Sequence, residues 1–406
     1  MRYIDLFAGA GGFSEGFKRA GFKPVAHVEV DPAACFTLKT RLAYHYLTEN
    51  NKSDIYIKYL KGEINRDQLY SFIPSRVLKS VINLSIGNKN NPKIFQIIDR
   101  LKGKKDIDII VGGPPCQAYS LVGRARDKNK MKGDPRNSLY VQYGRFLKKY
   151  RPKLFVFENV IGLLSAEEGK YFNNIQRYFK SLGYKVQPLT VNAKDFGVLQ
   201  NRQRVIIIGW RKKLNFSING LSNKGSFLYE VGNVFKDLPK IKAGSGKNKF
   251  ATYTKPIHEY LEFAKIRNGI KVLTQHVARP HNKQDKEIYR IAVEKWKKDK
   301  TRLDYNDLPE RLKTHKNRQA FLDRFKVVAK DLQYSQTVVA HIAKDGHYYI
   351  HPDIKQNRSI SVREAARLQS FPDDYYFEGV KEGKNRTSAF KQIGNAVPPL
   401  MAEKIA

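Results

Sequence analysis

A cysteine follows two glycines and two prolines in Gly112-Gly-Pro-Pro-Cys-Gln117, directly after an apolar run over residues 107–111. A lone cysteine is most often a small buried hydrophobe. Glycine and proline are poorly suited to core packing, and proline fixes the backbone so that the thiol points in one direction. We therefore interpret Cys116, one of two cysteines in the chain, as a candidate nucleophile.

Two further apolar runs are bordered by charged residues. Glu158-Asn-Val160 ends the run 154–157, and Gln200-Asn-Arg202-Gln-Arg204 leads into the run 205–208. A carboxylate after four apolar residues is expected to be partly buried, where it could take part in acid–base chemistry. Strand alternation places Arg202 and Arg204 on one side. Solvated loop or strand-end positions remain the alternative for all three charged residues.

A glycine-rich turn lies near residue 10. Asp5-Leu-Phe-Ala-Gly-Ala-Gly-Gly-Phe-Ser14 reads as a strand entering a turn and then a helix, which lets the backbone approach a bound cofactor closely. The turn lacks the last glycine of the dinucleotide-binding pattern, because residue 14 is serine. Glu29, at the end of the next predicted strand, is well placed to accept hydrogen bonds from ribose hydroxyls.

These residues require a frame of alternating strands and helices. Strands are predicted over residues 3–7, 24–29, 107–111, 154–157 and 205–208, and helices over 13–20, from Pro32, and over 361–370. Near-continuous apolar strands separated by helices indicate a parallel sheet covered on both faces, so we predict a doubly wound α/β domain. Residues 50–105 are loosely patterned and are interpreted as an insertion.

The chain is predicted to hold two domains. Residues 213–355 are irregular, basic and aromatic, without a strand–helix rhythm, and are assigned to a second, smaller domain. The first domain then comprises residues 1–212 together with 356–406.

The charge balance narrows the function classes. The 406 residues include 75 Lys and Arg against 38 Asp and Glu, a net charge of +37, with 41% hydrophobic residues. A hydrophobic content of this size excludes a disordered basic tail, and the charge indicates a polyanionic partner or a lysine-rich solvated surface.

No apolar stretch is long enough for a membrane span, the first residues lack the layout of a secretory signal, and two cysteines form no disulfide framework. We expect a reducing, cytoplasmic setting.

Six motifs in order give the chain a strong resemblance to the DNA cytosine-5 methyltransferases that use S-adenosylmethionine. Besides the four segments above, they are Arg363-Glu-Ala-Ala-Arg-Leu-Gln-Ser-Phe-Pro372 and Gln392-Ile-Gly-Asn-Ala-Val-Pro-Pro399. The resemblance covers the first domain and implies a Rossmann-like S-adenosylmethionine-dependent methyltransferase domain. Residues 213–355 would then be the target-recognition domain, where the resemblance says little.

The resemblance assigns catalytic roles. Cys116 would add to C6 of a flipped-out cytosine, which makes C5 nucleophilic. Glu158 would hydrogen-bond the N3/N4 edge of the base, and Arg204 would contact O2. Arg202 would support the thiolate and the base pocket.

The resemblance also implies the cofactor contacts. Phe7, Gly9, Gly11 and Asn395 would surround the methionine portion, Glu29 would bind the ribose, and Pro115 and Leu139 would lie near the adenosine. The family usually has an acid at the adenine between the positions of Glu29 and Cys116. Here four candidates stay open: Asp54, Asn88, Asp99 and Asp106.

Residues 117–136 correspond, by resemblance, to a mobile loop that closes over flipped DNA. The candidate DNA contacts are Gln117, Ser120, Arg124, Arg126 and Arg136. A charged surface loop is the alternative interpretation. No metal is expected, because the spacing of His341, His347 and His351, in a predicted hairpin, matches no common ligand pattern.

Two other functions remain open from the sequence. An RNA cytosine-5 methyltransferase on the same fold would also use a basic groove. A catalytically silent DNA-binding regulator is disfavoured by the intact Cys116, Glu158 and Arg204. The expected partner is double-stranded DNA, bound by a monomer in a bacterial or phage-infected cell, with a possible cognate restriction endonuclease and no membrane.

Overall fold

The computed structural model describes residues 1–115, 139–218 and 228–406. Within these ranges a seven-stranded sheet forms the centre of the molecule, with strand order β3-β2-β1-β4-β5-β7-β6. Its strands are β1 Arg2–Leu6, β2 Lys23–Glu29, β3 Val81–Asn83, β4 Ile109–Gly112, β5 Leu154–Val160, β6 Tyr184–Asn192 and β7 Gln203–Arg211.

The first six strands are connected mainly through helices. These helices are α1 Gly12–Arg19, α2 Pro32–Glu49, α3 Ser53–Lys61, α4 Arg66–Ser71, α5 Ser75–Lys79, α6 Asn91–Lys102, α7 Leu139–Tyr150 and α8 Lys170–Ser181. The predicted insertion over 50–105 was therefore partly wrong, because it contains β3, which extends the sheet beside β2. A strand of three residues carries too little periodicity to be recognised from sequence.

Strand β7 runs antiparallel to both of its neighbours, whereas all the other pairings in this sheet are parallel. The predicted parallel sheet is confirmed for the other pairings but not for those of β7. The physical reason is the short connection from β6, which holds only a single 3-10 turn over Ala193–Phe196. Parallel neighbours would need a longer crossover.

Side chains alternate between two cores on the two sides of the sheet. On one side Ile110 and Phe157 pack with the helices α6, α7 and α8. On the other side Val111, from the adjacent position of β4, packs with α1 and with residues of the C-terminal helices. Burial on both faces explains why these strands read as continuous apolar runs.

After β7 the described residues form two strands of two residues each and further helices. They are β8 Gly246–Lys247, α9 Glu259–Phe263, β9 His276–Val277, α10 Lys283–Asp299, α11 Val362–Leu368, α12 Arg386–Asn395 and α13 Pro399–Ile405. Helix α11 begins with a capping box, in which Ser361 and Glu364 satisfy each other's backbone amides. Where His341 and His347 were predicted in a hairpin, the structure has 3-10 turns.

The region 213–355 packs in two ways. Residues such as Val234, Leu261 and Val338 join the core beside the sheet. A separate small core forms around Tyr289, Tyr305 and Phe325. The domain boundaries at 212 and 356 stay a prediction. Within the described residues, no helix is both long enough and apolar enough to cross a membrane.

Candidate functional site

The glycine-rich turn between β1 and α1 lies at the carboxyl edge of the sheet. Phe7, Gly9 and Gly11 all have positive φ angles, of 57°, 53° and 82°. Such a backbone is unusual for a bulky residue like Phe7, and it turns the chain sharply above the strand end. A Cβ at Gly9 would meet no atom within 4 Å, so open space borders the turn at this glycine.

Glu29, at the end of β2, holds this turn in place. Its Oε2 accepts a hydrogen bond from the Gly9 amide at 2.8 Å, while Oε1 accepts from the amides of Val30 and Asp31 at 2.8 and 2.7 Å. A carboxylate has about four acceptor positions, so capacity remains for a ligand hydroxyl. Glu29 is thus fixed and half-buried, and it borders the open space beside Gly9.

A second carboxyl group lies beneath the turn. Asp5 in β1 is buried and accepts a hydrogen bond from the Ser14 hydroxyl at 2.6 Å. Burial raises the pKa of Asp5 from 3.8 to about 7, and repulsion from Glu29 adds to the effect. Asp5 therefore ties β1 to α1.

Strand β5 brings Glu158 against the backbone that leads to Cys116. A Cβ at Gly113 would lie 2.4 Å from Glu158 Oε2, so only glycine leaves room for this carboxylate. The side-chain amide of Asn159 donates a hydrogen bond to the Pro114 carbonyl oxygen at 3.4 Å. Cys116 itself lies outside the described residues, two positions beyond Pro114.

Arg204 pairs with Glu158 because β5 and β7 are antiparallel neighbours. Glu158 lies opposite Ile206, and Arg204 is two residues along β7, on the same face. Its Nε is 2.7 Å from Glu158 Oε1, with side-chain exposures of 12% for Arg204 and 13% for Glu158. The structure therefore brings two of the predicted catalytic residues together in a partly open ion pair.

The Arg202 guanidinium is held by backbone carbonyl oxygens. Arg202 directly precedes β7, and its side chain is buried. It donates to the carbonyl oxygens of Val338, Gly394 and Ala396 at 2.8, 3.1 and 2.9 Å. Among the described residues Arg202 and Arg204 thus have different partners, and support of the Cys116 thiolate by Arg202 stays a prediction.

The C-terminal segment returns Asn395 to the glycine-rich turn. Gly12 packs so closely on this segment that a Cβ there would lie 2.0 Å from the Val397 carbonyl oxygen. Asn395, two residues earlier, ends α12 and is exposed. Asn395 is thus exposed two residues from the contact with Gly12, and its role as a cofactor contact stays a prediction.

Two of the remaining predicted cofactor contacts border residues 116–138, which lie outside the described residues. Pro115 is exposed at the end of the described segment after β4, and Leu139 is half-buried at the first position of α7. The predicted DNA contacts lie outside the described residues: Gln117, Ser120, Arg124, Arg126 and Arg136.

The four candidates for the adenine contact do not share one edge. Asp106 precedes β4 and contacts Arg2 through its carbonyl oxygen, and Asp99 pairs with Lys149 near the start of β5. Both therefore lie at the amino edge, away from Glu29, and are poor candidates. Asp54 is exposed in the first turn of α3, beyond the 18-residue helix α2.

Asn88 is the one candidate of the four in a loop on the carboxyl side of the sheet, between β3 and α6. Its side-chain oxygen accepts from Gln142 at 2.9 Å. Sequence reasoning missed Asn83, which ends β3 and donates to the carbonyl oxygens of Glu29 and Val30 at 3.1 and 3.0 Å. Recognition of β3 in the sequence would have placed Asn83 at the end of a strand beside β2.

Among the described residues, no three His, Cys, Asp or Glu side chains form a group that could hold a metal ion. His341 instead lies 3.1 Å from Asp345, and His351 packs near Glu364. Cys35 is buried in α2, and its thiol donates to the Glu29 carbonyl oxygen.

Solved structures share this arrangement of strands and helices. A DNA modification methyltransferase encoded within an Escherichia coli prophage superposes with a TM-score of 0.64 at 23% identity, covering all of this chain and 97% of the other. The Dnmt2 methyltransferase of Schizosaccharomyces pombe gives 0.52 at 12% identity, with 100% and 96% covered. The mostly parallel sheet therefore has the Rossmann-like fold of these solved structures.

Sequence comparison defines the family. The model of the C-5 cytosine-specific DNA methylase family matches residues 1–72 and 80–406, and the chain belongs to this family. It is a DNA cytosine-5 methyltransferase.

Curated relatives match over the whole length of this chain. The type II methyltransferase M.Bpa9945I of Bacillus paralicheniformis is 43% identical, with 100% of this chain and 98% of the relative covered. The type II methyltransferases M.DdeI of Desulfomicrobium norvegicum and M1.HphI of Haemophilus parahaemolyticus are 32% and 31% identical, with 88% and 86% of each relative covered.

Proposed function

We propose that this enzyme transfers a methyl group from S-adenosylmethionine to C5 of a cytosine rotated out of double-stranded DNA, through a transient bond between Cys116 and C6. One observation carries the proposal. Glu158, paired with Arg204, lies against Gly113, and the neighbouring Asn159 contacts Pro114. Gly113 and Pro114 lead directly to Cys116, at the carboxyl edge that also bears the glycine-rich turn. Ligands of α/β sheets bind at this edge.

The residues around the turn fit the cofactor. Open space beside Gly9 leaves room for a ligand close to the backbone, and Glu29 has acceptor capacity left for ribose hydroxyls. Asn395 is exposed near the same turn and would hold the methionine end, with Phe7 and Gly11 beside it. When bound, S-adenosylmethionine supplies a methyl carbon that is activated by its sulfonium.

The chain's own residues would supply the remaining chemistry. C5 of cytosine is a weak nucleophile, and addition of the Cys116 thiolate at C6 makes it enamine-like. Glu158 would hydrogen-bond the N3/N4 edge and Arg204 would contact O2, where negative charge develops. After C5 is methylated, a base takes the C5 proton, the bond between sulfur and C6 breaks, and Cys116 is restored as the thiolate.

The target base must leave the helical stack before Cys116 can reach it, which costs a few kcal/mol. We assign this step to the basic residues 117–136, with Gln117, Ser120 and three arginines as DNA contacts: Arg124, Arg126 and Arg136. Closure of such a loop would also exclude water from the base pocket.

The relatives named type II methyltransferases support a role in restriction–modification. In that role the enzyme would act as a monomer on DNA and protect the sites that a cognate restriction endonuclease cleaves.

Replacement of the nucleophile tests the mechanism. Cys116→Ser is expected to abolish methylation while leaving DNA binding largely intact, because the hydroxyl is a far weaker nucleophile than the thiolate. Cys35→Ser makes the same atomic change in α2 and should keep activity. Bisulfite sequencing of DNA from cells that express each variant reads activity and target together. Robust methylation by Cys116→Ser would refute the covalent mechanism.

A further inference from the structure

The guanidinium of Arg202 lies between two segments that are distant in sequence. It donates to the Val338 carbonyl oxygen, in the predicted recognition region, and to the carbonyl oxygens of Gly394 and Ala396, on either side of Asn395. Arg202 is only 1% exposed. The buried guanidinium of Arg202 therefore joins the segment around Asn395, a predicted cofactor contact, to the segment around Val338 in the predicted recognition region.

Two buried glutamines make a second connection between the same segments. Gln200 accepts from the Val338 amide at 3.0 Å and donates to the Gln369 side chain at 2.6 Å. Gln369 then donates to the carbonyl oxygens of Ile393 and Ala396 at 3.1 and 2.6 Å. Both glutamines are fully buried, so these hydrogen bonds are shielded from water.

The two backbones also touch directly. A Cβ at Gly394 would lie 2.3 Å from the Ala340 nitrogen and 2.3 Å from the Val339 carbonyl carbon, so α12 and the 338–340 segment are packed without a side chain between them. Val339 is 40% exposed, and Asn395 is exposed as well. We call residues 338–340 and 393–396, with Arg202, Gln200 and Gln369, the seam.

We infer that Arg202 is a positioning residue that couples the cofactor site to the target-recognition region through the seam. A ligand that fixes Asn395 would also fix residues 338–340, so DNA that binds afterwards has less disorder to remove. The coupling must be reciprocal, since DNA would raise the affinity for cofactor by the same factor. This inference rests on the proposed function, which places the cofactor at Asn395 and DNA on the region 213–355.

The coupling can be measured directly. The dissociation constant of a duplex that carries the methylated site is determined by fluorescence anisotropy, with and without S-adenosylhomocysteine. We expect a coupling factor of roughly 5- to 150-fold for the wild-type chain, the usual range for coupled sites. Arg202→Lys should bring it to about 1, because an ammonium cannot bind three carbonyls as a planar fork does. The KM for the cofactor should rise more than kcat falls.

A matched control separates coupling from stability. Arg363 is also fully buried and donates to three carbonyl oxygens, those of Thr274, Pro372 and Tyr375, none of which belongs to the seam. Arg363→Lys should therefore lose stability but keep the wild-type coupling factor.

A second variant keeps the test open if Arg202→Lys fails to fold. Gly394→Ala pushes α12 away from Ala340 and should also abolish the coupling. Gly144→Ala creates a similar conflict between α7 and Tyr178 of α8. These helices lie outside the seam, so this variant should retain the coupling. Wild-type coupling in Gly394→Ala or in folded Arg202→Lys would overturn the inference, as would a wild-type chain without coupling. Absence of methyl transfer by the wild-type chain would instead refute the proposed function.

Discussion

An arginine lies at the carboxyl edge of the sheet and another lies in the seam, and the two differ in burial and in the groups they bind. At the edge, Arg204 and Glu158 form a single ion pair and each keeps 12–13% of its side chain exposed. In the seam, Arg202 is buried and bonded to three carbonyl oxygens. The groups proposed to meet substrate thus retain binding capacity, whereas the groups that hold the backbone bind mainly to the protein itself.

The same contrast extends to the buried ion pairs beside α11. Glu364 accepts two hydrogen bonds from Arg358 at 2.7 Å each, and both side chains are at most 1% exposed. Burial of this kind fixes structure and leaves no surface for a ligand. The comparison predicts that damage to buried pairs appears as lost stability and damage to the edge as lost activity.

The largest expected effect is on stability, from Glu364→Gln. Removing the charge leaves the Arg358 cation uncompensated in the interior, which typically costs about 3–5 kcal/mol. Denaturant unfolding measures the loss, and activity per folded molecule should stay close to wild type. The control Glu310→Gln removes an exposed carboxylate that pairs with Lys313 and Arg318 and should leave stability unchanged. Equal losses in both variants would contradict the contrast.

A large effect on catalysis is expected from Glu158→Gln at the edge. The amide keeps the shape of the side chain but loses the charge that faces Arg204 and the base. Removal of one group that stabilises developing charge lowers kcat by roughly 10²–10³-fold. Steady-state kinetics on DNA measure this loss, and the stability loss should be much smaller than that of Glu364→Gln. Unchanged kcat would remove Glu158 from the proposed mechanism.

A smaller, pH-dependent effect is expected beneath the glycine-rich turn. The pKa of Asp5 is raised from 3.8 to about 7 by burial, so between these pH values the folded chain binds the proton more strongly than the unfolded chain does. This contribution to the free energy of unfolding therefore falls as pH rises from about 4 to about 7.

Asp5→Asn removes the titrating group and should flatten that part of the stability profile. Unfolding free energies of both chains at pH 5, 6, 7 and 8 measure the difference. An identical pH slope in the variant would show that Asp5 does not titrate in this range.

Sequence reasoning located the edge because its signals are local. Glu158 and Arg204 each border an apolar run, and strand ends of a sheet share an edge. The same reasoning missed β3, which has three residues, and the antiparallel direction of β7, which depends on the connection from β6.

The seam could not be predicted from local patterns. Three described partners of the Arg202 guanidinium lie 136 to 194 residues away and are backbone carbonyl oxygens, which any residue type provides. The need for glycine at Gly394 likewise arises from a contact with Ala340 that only the fold creates.

The proposed reaction requires that the sulfur of Cys116 bonds to the target base during methyl transfer. A duplex with 5-fluorocytosine at the methylated position tests it most directly, because fluorine at C5 cannot leave as the proton does. Incubation with S-adenosylmethionine is expected to give a denaturant-stable protein–DNA complex whose cross-linked peptide contains Cys116. A methylating enzyme that forms no such complex, or one linked through another residue, would contradict the account.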